Sequence, residues 1–76
     1  MRIDKIADEL ETLQADKNGG RGVMCVRYIV NDLRRGNVEK AVSGARFDWD
    51  KIRSYPDIAD FVIDHVIGEN PDRKPL

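Results

Sequence analysis

Apolar residues recur along this chain at helical spacing, in four stretches separated by glycine-rich or polar breaks. Ile3, Ile6, Ala7, Leu10 and Leu13 fall at i, i+3, i+4, i+7 and i+10. That spacing lines one face of an amphipathic helix. Asp4, Asp8 and Glu11 occupy another face, and Asp4 in the first turn suits the helix dipole. The pattern predicts a first helix over residues 3–15. It stops at Asp16-Lys17-Asn18-Gly19-Gly20-Arg21-Gly22, where glycines at 19, 20 and 22 make further helix costly. This stretch reads as a flexible connector.

Residues 23–33, Val-Met-Cys-Val-Arg-Tyr-Ile-Val-Asn-Asp-Leu, admit two readings. Their β-branched and aromatic content favours a strand, and Gly36-Asn37 could turn a hairpin. Strict alternation fails, however, because Ile29 and Val30 are adjacent. Val23, Val26, Ile29/Val30 and Leu33 form a better helical stripe. A second helix is therefore expected over residues 23–35, with Gly36 as its C′ residue.

Asn37 is a good N-cap with Glu39 in the following turn. Val38, Ala41, Val42 and Ala45 give a short third helix, weakened by Gly44. Asp48 can cap a further turn carrying Trp49 and Ile52. Ser54 and Asp57 have capping-box spacing, and Pro56 suits the start of a fourth helix. That helix buries Ile58, Phe61, Val62 and Val66, with Ile63 and Ile67 widening the stripe, and ends at Gly68. The expected fold class is all-α, a small bundle or orthogonal array of four short helices. The alternative is α+β, with a β-hairpin over residues 23–42. One helical domain spans residues 1–68, and residues 69–76 form a polar tail.

Composition narrows what such a domain can be. At 76 residues it is near the lower limit for independent folding. Domains of this size often lean on disulfides, a metal or a second copy. Cys25 is the single cysteine, so no intramolecular disulfide is available. No Cys/His spacing suits zinc, and no cofactor motif is present. No apolar run approaches the roughly 20 residues that cross a bilayer, so no membrane contact is expected. The lone cysteine and the absence of a signal peptide point to the cytoplasm.

Charge changes the picture most. Residues 17–53 carry nine Lys or Arg against four Asp or Glu. Residues 1–16 and 54–76 each carry two basic and five acidic groups. The overall net charge of −1 hides a +5 middle between two −3 ends. Either the ends neutralise the middle within one fold, or the middle offers a basic face to an acidic partner.

The candidate partner-binding residues follow from that division. Arg27 and Arg34 share a face of the second helix with Arg35 nearby, and guanidinium groups match phosphates. The competing reading, internal pairing with acidic helices, is favoured because nucleic-acid-binding domains usually carry net positive charge. Asp57, Asp60 and Asp64 share a face of the fourth helix and could grip a basic partner; a solvated face is the plainer account. Phe47, Trp49 and Tyr55 lie among Arg46, Lys51 and Arg53, a mixture found at interfaces and on single-strand binders. Trp49 is expected in the core, leaving Phe47 or Tyr55 for exposure. The glycine loop lacks the strand and the Gly-Lys-Ser/Thr of a phosphate loop. Cys25 and His65 could meet only as an isolated pair, and a cysteine in an apolar helix is usually core.

The sequence thus points to a non-catalytic helical protein-interaction module, an accessory or regulatory protein. Its partner is another protein or a second copy of itself. A nucleic-acid-binding accessory protein is the alternative, and an enzyme is a distant third.

Overall fold

Helix α1 (Ile3–Ala15) forms where the periodicity places it. In the computed structural model, which describes residues 2–73, five further helical segments follow: α2 (Lys17–Gly20), α3 (Met24–Arg34), α4 (Val38–Phe47), α5 (Trp49–Ile52) and α6 (Pro56–Val62). A π-helical turn, Ile63–Ile67, continues α6. The protein is all-α, and the described residues contain no strand. Two single-turn segments, α2 and α5, supplement the four expected helices. Lys74, Pro75 and Leu76 of the expected tail lie outside the described residues.

The alternative β-hairpin over residues 23–42 is overturned by the corner between α3 and α4. Gly36 adopts φ +76°, a left-handed conformation that costs a residue with a Cβ. Gly36 N–H donates to the Leu33 carbonyl at 3.0 Å, and Asn37 N–H donates to the Asp32 carbonyl at 2.9 Å. These are the paired bonds of a Schellman motif, which closes a helix. Asn37 then caps α4, its Oδ1 accepting from Lys40 N–H at 3.3 Å. Two residues thereby end one helix and start the next, and α3 and α4 form an αα-hairpin.

The core lies between this hairpin, α1 and α6. α3 packs most extensively, on α1 and on α4. Leu10, Val26, Ile29, Ile52, Ile58 and Val62 are fully buried. Small residues set the helix spacing, since Ala7, Ala41 and Ala45 are also fully enclosed. Trp49 is buried as expected, with its indole N–H lacking a hydrogen-bond partner among the described residues.

The glycine connector is a built structure. Asn18 and Gly19 are left-handed within α2, and Gly22 also has positive φ. Asn18 Nδ2 donates to the Gly22 carbonyl at 2.8 Å. Tyr55 Oη donates to Asn18 Oδ1 at 3.1 Å, and Lys17 Nζ reaches Asp57 at 2.7 Å. The loop is therefore tied to the start of α6. Gln14 makes a second tie. Its side chain is only 4% exposed, and its Oε1 accepts from Val23 N–H, a buried bond of 2.9 Å. α3 has no side-chain cap of its own. Gln14 thus fixes the chain direction where α3 begins.

The capping box expected at Ser54–Asp57 does not form. Pro56 occupies the first helical position, which makes Tyr55 the cap residue. Ser54 Oγ turns back to donate to the Lys51 carbonyl, and Asp57 Oδ1 accepts from Ile58 N–H at 2.9 Å.

Candidate interaction surface

Sorting the charged residues by partner separates structural groups from available ones. Lys17 pairs with Asp57 at 2.7 Å, and Arg34 with Asp8 at 2.8 Å. Arg46 pairs with Glu69, and Arg53 with Asp72 at 3.4 Å. Each of these four pairs joins the basic middle of the chain to one of its acidic ends. A fifth, Arg35–Asp32 at 3.6 Å, lies within α3 and its cap. All have at least one exposed partner, so each contributes well under about 1 kcal/mol, and together they orient elements more than they stabilise them. Lys17 donates a hydrogen bond that holds the Asp57 carboxyl below its ordinary pKa of 3.8.

Of the sequence-derived candidates, Arg34 and Asp57 are thus committed to Asp8 and Lys17. Arg35 leans on Asp32. Tyr55 is half-buried and hydrogen-bonded to Asn18. Asp60 and Asp64 are exposed, and Arg27 is exposed on the flank of α3. Phe47 stands out: a full aromatic ring at 86% exposure at the end of α4. The arginines, the acidic stripe and the aromatics do not converge on one site.

The structure adds two residues to Phe47. Met24 is 56% exposed and Tyr28 62% exposed. They stand at i and i+4 on α3 and share an outer stripe with Asn31 and Arg35. Val26, Ile29, Val30 and Leu33 occupy the opposite side of that helix. On α4, Lys40 and Phe47 fall at i and i+7, away from buried Ala41 and Ala45, while Gly44 faces Ile29 of α3. A groove of about 340 Å³ joins the two stripes and is lined by Tyr28, Asn31, Asp32, Arg35 and Lys40. Residues 23–35 carry more than the core stripe and the Arg27/Arg34 face. The second stripe, Met24–Tyr28–Asn31–Arg35, has equally regular spacing and was the signal available.

A second cleft, about 420 Å³, borders the apolar end of this surface, with Met24, Cys25, Asp50, Lys51 and Tyr55 in its wall. Burial pushes the Cys25 thiol above its ordinary pKa, and the Asp48 charge adds to the effect. A thiol shifted upward holds little thiolate at neutral pH. His65 lies against the Phe61 ring, centroids 4.7 Å apart, on the π-helical turn. Among the described residues no group of three or more His, Cys, Asp or Glu is placed to hold a metal ion. No described helix is long and apolar enough to cross a membrane. No protein-family model, curated protein or solved structure matches the chain.

Proposed function

We propose that this chain is a non-catalytic protein-interaction module, acting in the cytoplasm, whose working surface is the outer side of the α3–α4 hairpin. The observation that carries the reading is the exposure of Met24 and Tyr28 on α3 and of Phe47 at the end of α4. Aromatic side chains present about 150–250 Å² each, so Tyr28 and Phe47 alone leave roughly 250–300 Å² of ring surface in water. With Met24, the exposed apolar area on the two helices is comparable in size with the roughly 300–600 Å² of the largest patches on monomers, which are often functional. Aromatic residues, methionine and arginine are also the types enriched at interface cores.

Nucleic-acid binding is the weaker reading. Four of the nine central cations are already paired with the acidic ends of the chain, which removes most of the concentrated positive potential that a polyanion would need. The lone cysteine remains the basis for the cytoplasmic assignment.

Site-specific photo-cross-linking in the source cells tests the proposal. A benzophenone side chain at position 28 or 47 is expected to give a discrete polypeptide adduct. The same group at position 9 or 60, exposed on α1 and α6, is expected to give none. Equal adducts from all four positions, or none from 28 and 47, would refute this surface.

A further inference from the structure

Resting on that reading, we infer that the occupant of the α3–α4 surface is an acidic amphipathic helix of another protein, with apolar anchors at one end and carboxylates about two turns away. The two outer stripes are polar in the same sense. Because α3 and α4 run antiparallel about the Gly36-Asn37 corner, Arg35 and Lys40 sit together at the corner end. Tyr28, Met24 and Phe47 lie towards the other end. Seven residues separate Tyr28 from Arg35, and seven separate Lys40 from Phe47. At about 1.5 Å per residue the apolar and cationic ends are roughly 10 Å apart along the helices.

The corner end of this surface is cationic, because Arg35 and Lys40 line the groove there. The one carboxylate in the groove, Asp32, is only 12% exposed at its side chain and leans towards Arg35. At the apolar end Lys51 is set against Asp50 in the neighbouring cleft and against Asp48, whose charge acts on Cys25, so that end carries no excess of cations. An acidic segment therefore gains complementary charge at the corner end and apolar contact at the other.

A second copy of the chain fits less well. A stable dimer buries about 800 Å² per partner, roughly twice the apolar area here. A two-fold axis through the face would set its cations against one another or against the partner's rings. Neither arrangement brings a carboxylate to Arg35 and Lys40.

The test is a display selection of random peptides of about 20 residues on the intact chain, with binders re-measured on Phe47→Ala and Lys40→Glu. Phe47 is so exposed that its truncation leaves the fold unchanged, which a thermal melt checks. The expected result is a set of binders enriched in Asp and Glu relative to the starting library. Each should lose about tenfold or more in affinity with Phe47→Ala, and a comparable factor with Lys40→Glu. Binders that need Phe47 but show no acidic enrichment and ignore Lys40→Glu would overturn the partner chemistry while leaving the surface standing. Binders indifferent to Phe47→Ala would overturn the surface itself. Light scattering and oligonucleotide anisotropy decide between the other occupants. A dimer dissolved by Phe47→Ala, or salt-sensitive nucleic-acid binding lost in Lys40→Glu, would each overturn the proposal.

Discussion

Replacing Gly22 by alanine is expected to be the most damaging single-methyl addition in this protein. Gly22 has φ +79°, and a Cβ built there would stand 2.3 Å from Gln14 Oε1 and 3.2 Å from Gln14 Cδ. Left-handed backbone with a Cβ costs about 1–2 kcal/mol. The larger cost comes from Gln14. Its amide must move, which breaks the buried bond to Val23 N–H. An unsatisfied buried donor costs about 1–3 kcal/mol. Reduced freedom of the unfolded chain returns about 0.4–1 kcal/mol. The net is a loss of roughly 2–4 kcal/mol, against a total stability of about 4–11 kcal/mol for a chain this long. In a urea melt the midpoint should fall sharply, and the thermal midpoint by at least about 8 °C. Gly36→Ala is the control, because φ is also positive but nothing lies within 4 Å of the added carbon; it should cost only about 1 kcal/mol. Gln14→Ala should be damaging alone yet add little in the Gly22→Ala background, since the same hydrogen bond is lost once. Equal losses for Gly22→Ala and Gly36→Ala, or strict additivity with Gln14→Ala, would refute the role given to the Gln14–Val23 bond.

Gly44→Ala should act in the opposite direction, because Gly44 is helical and the new carbon meets Ile29 Cγ1 at an ordinary 3.9 Å; a stabilisation of about 0.5–1 kcal/mol is expected in the same urea series. Ile58→Ala removes a fully buried side chain and should cost about 2–5 kcal/mol by chemical denaturation. The Lys17–Asp57 pair should couple by no more than about 1 kcal/mol in a double-mutant cycle near neutral pH, given that the Asp57 side chain is 45% exposed. Because the folded Asp57 pKa lies below its ordinary 3.8, that coupling is present above 3.8 and disappears as pH falls through the folded value; a coupling that grew on acidification would contradict the assignment.

The helices were legible because their core stripes are regular. Residues 3–15 and the Gly36-Asn37 corner followed from apolar spacing and from one glycine in the C′ position. Trp49 was placed in the core by its size. Other features depend on contacts between residues distant in sequence, and no local pattern announces them. Gln14 reads as a polar end to α1, but its burial depends on the position of Val23 nine residues later. The glycine connector reads as flexible until Tyr55 and Asp57, almost forty residues away, pin it. The capping box failed because two local signals competed, and Pro56, with its fixed φ and missing N–H, set the start of α6. For the surface, Phe47 was visible as one aromatic among cations. Met24 and Tyr28 were not, because α3 carries apolar side chains on both sides and only packing against α1 and α4 decides which side is buried.

The ion pairs give the division of charge along the chain its physical form. A +5 segment between −3 ends admits a basic surface or neutralisation within the fold, and the second is the favoured reading. Folding brings the ends alongside the middle, so that Asp8, Asp57, Glu69 and Asp72 each meet a central cation. What this pairing leaves on the outer side of the α3–α4 hairpin is Lys40, with Arg35 held only by the long contact to Asp32, beside three exposed apolar side chains. A surface with so few cations has little to hold a long polyanion, whose affinity grows with the number of phosphates neutralised. It has enough to orient a short acidic helix, for which apolar contact supplies affinity and rim charge supplies register and encounter rate. Selectivity on this hairpin therefore follows from the charges that the acidic ends leave unneutralised, and Lys40→Glu should alter which partners bind while leaving stability nearly unchanged, within about 0.5 kcal/mol.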